Sequence, residues 1–224
     1  MSTAPPVPPA AALFDNDGLL LDTESLWTRA EVALFARYGR TFTDDHKRRL
    51  LGTAQPRQGL LLAEMLDEPP EAGPRLSADL NDLAMDAIDH GVEPMPGALA
   101  ILARVREAGL TLGLASNSPR PFVRGTIGAA GIADAFDAIL TGDDVAHPKP
   151  APDLYLELAA RLGADPARCV ALEDSPTGVS AARAAGAFTI GIPSFPGVTL
   201  DDADLVCESL NDPRVAEILG LPTG

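Results

Sequence analysis

Asp15 and Asp17 stand one residue apart at the end of an apolar run, Ala10-Ala-Ala-Leu-Phe14, and Gly18 follows them. An ionised Asp15 can attack an electrophilic phosphorus in line, giving an aspartyl-phosphate that water then cleaves. Asp17 can protonate the leaving alcohol and afterwards deprotonate that water. Further polar groups recur along the chain: Ser116 and Asn117, Lys149, and the pair Glu173 and Asp174. Two carboxylates facing a phosphate dianion repel it, so the chemistry needs a cation. Mg2+ suits Asp15, the main-chain carbonyl of Asp17, and Asp174, with Glu173 acting through a bound water. Ser116, Asn117 and Lys149 would then hold the phosphate oxygens, helped by main-chain N–H groups at helix starts.

Each feature alone has a plainer reading. Asp15-x-Asp17-Gly18 also reads as a turn or a calcium loop, although Leu19 to Leu21 supply none of the later oxygen ligands such a loop needs. Ser116-Asn117 before Pro119, and Glu173-Asp174-Ser175 before Pro176, read as helix caps, and Lys149 reads as a solvated loop charge. Their shared place at the ends of apolar strands shifts all of them towards function.

The elements that must position these groups alternate. Short apolar strands are expected at 10–14, Leu110 to Ala115, Ala138 to Thr141, Cys169 to Leu172, Thr189 to Ile192 and Leu205-Val206. Helices are expected at Ala98 to Glu107, Phe122 to Ala129, Asp153 to Leu162, Pro176 to Ala185 and Pro213 to Leu219. Strands alternating with helices imply an α/β fold, a Rossmann-like, doubly wound parallel sheet. The stretch after the first strand breaks this alternation. A helix capped by Thr23 or Ser25 runs through Trp27, Ala30, Leu34 and Tyr38 to Gly39, and Asp44 to Leu50, Arg57 to Leu66 and Ser77 to His90 follow. Residues 22–94 therefore read as an all-helical domain inserted into a core made of 10–21 and 95–224, a lid over the sheet's active end. Residues 1–9, rich in proline, read as a disordered leader rather than a signal peptide.

A net charge of -15 disfavours an extended surface for nucleic acid or anionic membrane, so an anionic small substrate needs a local positive site. No apolar run approaches the ~20 residues that span a bilayer. Cys169 and Cys207 are far apart and read as reduced thiols of a cytoplasmic protein, a monomer or small homo-oligomer. The chain has fifteen arginines and only two lysines, Lys47 and Lys149, so a retained lysine points to a need for a compact charge. Lys47, beside His46 and Arg48-Arg49, reads as part of a solvated helix face.

Four ordered segments, Asp15-Asn-Asp-Gly-Leu-Leu-Leu-Asp-Thr-Glu24, Ala115-Ser-Asn-Ser118, Lys149-Pro-Ala-Pro-Asp153 and Leu172-Glu-Asp-Ser175, resemble the haloacid dehalogenase-like superfamily of aspartate-nucleophile phosphatases. The helical insert resembles the cap of its beta-phosphoglucomutase-like subgroup. The resemblance implies a Rossmann-like core, Mg2+ dependence, the roles given above and a small phosphorylated metabolite as substrate, a sugar or polyol phosphate. Asp17 argues against dehalogenation, because the dehalogenases of this superfamily lack this second aspartate. No histidine lies between Met1 and Phe42, and Trp27 stands near the histidine a mutase would carry there. A phosphosugar mutase remains the same-fold alternative, and a non-catalytic phosphometabolite-binding regulator is the alternative from another class. Substrate choice falls to the insert, where Glu24, Thr53, Gln55 and Arg57 are the candidate readers and Trp27 reads as core.

Overall fold

Strand β1 (Ala11–Phe14) is buried along its whole length on both faces, which is why its sequence is an unbroken apolar run rather than an alternation. It is followed in the chain by α1 (Glu24–Arg37), α2 (Asp44–Leu50), α3 (Arg57–Met65), α4 (Gly73–Ile88) and α5 (Ala98–Glu107). Then come β2 (Thr111–Ser116), α6 (Arg120–Ala129), β3 (Ala138–Thr141), α7 (Asp153–Arg161), β4 (Cys169–Glu173), α8 (Pro176–Ala185), β5 (Phe188–Gly191), β6 (Leu205–Val206) and α9 (Pro213–Ile218). These elements belong to a computed structural model that describes residues 4–53, 55–89, 91–195 and 197–222.

The six strands form one parallel sheet in the order β3-β2-β1-β4-β5-β6. The order reverses between β1 and β4, and in open α/β sheets the crevice beyond the strand ends at that point collects ligands. Phe14 is level with Leu114 on one side and Leu172 on the other, so Asp15, Ser116, Glu173 and Asp174 emerge at the same edge. Ala12 and Phe14 face one layer, with Ile101 and Val105 of α5 and Phe122 and Val123 of α6. Ala11 and Leu13 face the other, with Leu154, Tyr155 and Leu158 of α7 and Ala181 and Ala182 of α8. The sheet is therefore covered on both sides, as the alternating pattern implies.

Helices α1 to α4 lie between β1 and the crossover helix α5, and they share one apolar cluster with the first layer. Trp27 stacks on Phe122 of α6 with ring centroids 4.5 Å apart, and a Cβ on Gly125 would meet Ile88 of α4 at 2.9 Å. Helix α4 begins at Gly73, four residues before the Ser77 that the sequence suggests, because Pro74 is tolerated in a first turn. Gly59 and Gly73 let α3 and α4 touch: a Cβ on Gly59 would lie 2.6 Å from the Gly73 carbonyl oxygen, and one on Gly73 would lie 3.0 Å from the Gly59 carbonyl carbon. His90, the expected end of that helix, lies outside the described residues. So do residues 1–3 of the expected leader; residues 4–9 hold no helix or strand, and Pro9 is buried.

Two further expectations are corrected. Neither Thr23 nor Ser25 caps α1; the Asp22 carboxylate does so, accepting from the Ser25 N–H at 3.1 Å and from its hydroxyl at 2.5 Å. Lys47 is not on a solvated face. Helix α2 turns it inward, and its side chain is 6% exposed between two glutamates of α1.

Candidate active site

At the sheet edge Lys149 is buried between two carboxylates. Its Nζ donates to Asp15 Oδ1 at 2.6 Å, to Glu173 Oε1 at 2.6 Å and to the Ala115 carbonyl at 2.8 Å, so all three N–H bonds are taken. Burial pulls the ammonium down, but Asp15 and Glu173 outweigh it and leave Lys149 above its usual range. Tyr155, from α7, donates its hydroxyl to Glu173 Oε1 at 2.5 Å, and burial beside Glu173 holds that phenol protonated. Burial raises the Asp15 carboxyl well above the usual range; Lys149 opposes this, while Glu173, Asp174 and Asp17 add to it.

Asp17 is held by two hydroxyls. Thr23, freed from capping, donates to Oδ1 at 2.7 Å, and Ser116, at the end of β2, donates to Oδ2 at 2.5 Å. Gly18 explains the glycine of the first motif. Its φ of +80° is in the left-handed region, and a Cβ there would lie 2.3 Å from Asp174 Oδ2. Only a bare backbone lets Asp174 close on this loop, where Ser194 donates to the same Oδ2 at 2.5 Å. Burial and Glu173 raise the Asp174 carboxyl, and Glu24 adds to the effect.

Asp15, Glu173 and Asp174 each present an oxygen within 4.8 Å of the others, all buried. Asp15 Oδ2 and Glu173 Oε2 have no hydrogen-bond partner. Three buried carboxylates against one lysine, with two orphaned oxygens, fit a hard divalent cation with oxygen ligands. Glu173 is also pinned from behind: a Cβ on Gly178 of α8 would lie 1.8 Å from its Oε2. Gly→Ala within a helix ordinarily stabilises by about 0.5–1 kcal/mol. Here Lys149 and Tyr155 lock the carboxylate in place, so overpacking wins. Gly178→Ala is expected to destabilise by roughly 1–3 kcal/mol in a thermal melt, and a raised Tm would show that Glu173 can yield.

The inserted helices complete the cleft. Glu24, Trp27, Thr53, Gln55 and Gln58 line it together with the sheet-edge groups, and so do Lys47 and Glu31. Lys47 Nζ is 2.6 Å from Glu24 and 3.1 Å from Glu31. Burial pushes the Glu31 carboxyl up to about 7, with Lys47 opposing. Arg57 does not reach this cleft: it lines an adjoining groove with Arg48 and Arg49. The Asn117 side chain faces neighbouring backbone. Its Nδ2 donates to the carbonyls of Gly52 and Lys149, at 3.1 and 3.0 Å, and its Oδ1 accepts from the Lys149 N–H at 2.9 Å. That leaves only its main chain to contact a phosphate.

Asp15, Asp17, Ser116, Lys149, Glu173, Asp174, Glu24, Thr53 and Gln55 all lie here, as expected, and Tyr155, Ser194, Gln58, Glu31 and Lys47 join them unexpectedly. Lysine scarcity was a usable signal for Lys47, masked by its basic neighbours. Both cysteines are buried and free, with thiols pushed up to about 11 by burial, so neither is poised as a thiolate.

This arrangement has counterparts among known proteins. A profile of the haloacid dehalogenase-like hydrolases matches residues 9–186. Hexitol phosphatase B of Escherichia coli K12 is 34% identical over 217 residues, 94% of this chain and 96% of the relative. A phosphorylated carbohydrates phosphatase of Thermotoga maritima is 32% identical, over 79% of this chain and 81% of its own. The crystal structure of CbbY from Rhodobacter sphaeroides in complex with phosphate superposes with a TM-score of 0.80 at 30% identity, covering 91% of this chain and 96% of that one. The chain belongs to the haloacid dehalogenase-like hydrolases and is an enzyme of that family, with phosphatases among its relatives.

Proposed function

We propose that the protein is a Mg2+-dependent phosphatase that hydrolyses a sugar or polyol phosphate through an aspartyl-phosphate on Asp15. The observation that carries this reading is the buried cluster of Asp15, Glu173 and Asp174, in which Asp15 Oδ2 and Glu173 Oε2 have no hydrogen-bond partner. The phosphatases among its relatives, whose names refer to hexitol and carbohydrate phosphates, support the substrate class.

Asp15 attacks the phosphorus, and the bond from phosphorus to the leaving oxygen breaks as Asp17 delivers its proton to that oxygen. Asp17, now a carboxylate, takes a proton from the water that attacks the aspartyl-phosphate. Inorganic phosphate departs, and both aspartates return to their starting states. Thr23 and Ser116 fix the orientation of Asp17 through both proton transfers. Lys149 contributes its charge where negative charge gathers in the transition state. Mg2+ bound by Asp15, Asp174 and Glu173 would offset the repulsion between these carboxylates and a phosphate dianion.

The test is phosphate release from a panel of sugar and polyol phosphates, with and without chelator. Excess EDTA is expected to reduce turnover at least about a hundredfold, and added Mg2+ to restore it. Undiminished release in EDTA would remove the metal from the reading. Isomerised product without phosphate release would identify a mutase instead.

A further inference from the structure

The chain's two lysines do the same thing on two sides of one cleft. Lys149 at the sheet edge and Lys47 on α2 are each buried against two carboxylates, and both line the cavity. The first pairing belongs to the reaction chemistry just described, whereas the second lies on the inserted helices and has no part in it. Stability does not account for it, because an apolar trio of similar volume would serve a buried junction of α1 and α2 at least as well as three charges. A purely structural pairing also has no reason to face the cleft, yet Glu24, Lys47 and Glu31 all do.

We infer that Lys47 is a positioning residue that holds the Glu24 carboxylate as the acceptor for hydroxyl groups on the non-phosphate end of the substrate. The inference rests on the phosphatase reading and assigns the group that reads the hydroxyls of its substrate. Glu24 is the more exposed of the two glutamates, 20% against 5% for Glu31, so it is the one that meets a ligand. A carboxylate accepts from hydroxyls in charge-assisted bonds roughly twice as strong as neutral ones. Thr53, Gln55 and Gln58 line the same cavity with neutral hydrogen-bonding groups suited to further hydroxyls. The ammonium counters the repulsion between Glu24 and Glu31 and so keeps the acceptor in one direction. A substrate without hydroxyls would leave these groups unpaired, which is how such a site discriminates.

The experiment compares kcat/KM for a hexitol phosphate with that for para-nitrophenyl phosphate, which has no hydroxyl to read. Wild type is expected to prefer the hexitol phosphate. Glu24→Gln and Lys47→Met are each expected to cut that preference at least about tenfold, with the loss appearing in KM for the hexitol phosphate. Lys47→Arg, which keeps the charge, is expected to recover part of it. Glu24→Gln is isosteric and leaves the Lys47–Glu31 pair, so it decides the matter even if Lys47→Met fails to fold. A preference unmoved by Glu24→Gln, or absent in wild type, overturns the inference and leaves the phosphatase reading standing. Phosphate release from neither ester overturns both.

Discussion

Asp15→Asn is expected to abolish phosphate release, lowering kcat by roughly 10⁴-fold or more. The amide matches the carboxylate in shape but offers no anionic oxygen to attack phosphorus. Its oxygen still accepts from Lys149, which lies 2.6 Å from Asp15 Oδ1. The fold should survive, because burial is the largest penalty on the Asp15 charge and the substitution removes that charge. Release of phosphate from para-nitrophenyl phosphate separates the outcomes: a variant within tenfold of wild type would show that Asp15 is not the nucleophile. A Tm close to that of wild type would assign the loss to chemistry.

Lys149→Met is expected to have the largest effect on stability. It leaves Asp15 and Glu173 buried with only Tyr155 on one of the oxygens that Lys149 had held. Removing one partner of a buried ion pair costs about 3–5 kcal/mol, and in a chain of this size that lowers Tm by roughly 6–20 °C. The same charge is used in the transition state, so kcat is expected to fall by about 10²–10³ as well. Mg2+ should recover part of the Tm, since a cation that binds only the folded state stabilises it by mass action. Thermal melts with Mg2+ and with EDTA check both statements. A variant that melts within 2 °C of wild type would show that the two carboxylates are neutralised by something other than Lys149.

Sequence made the sheet legible because each strand is short, apolar and closed by turn residues, and because parallel alternation admits few topologies. That placed Asp15, Ser116 and Glu173 at one edge without further information. What stayed hidden depends on how elements pack. Lys47 reads as surface from its basic neighbours, and only the packing of α2 against α1 turns it towards Glu24 and Glu31. Tyr155 is one position on an amphipathic helix, and its hydroxyl finds Glu173 only because α7 crosses that face of the sheet. Thr23 fits the sequence profile of a cap, but Asp22 takes that role, and local pattern does not decide between the two. Arg57 follows the loop that lines the cleft, but it is the first residue of α3 and lines the neighbouring groove.

Asn117 joins two parts of the molecule that are far apart in the chain. One side-chain amide, at the end of β2, fastens both the backbone of Lys149 and the carbonyl of Gly52, which lies between α2 and α3. The same amide makes two bonds to the main chain of Lys149 and one to the segment after α2, and Gly52 and Lys149 both line the cleft. One amide thus ties a wall of the cleft to the backbone that carries its central positive charge.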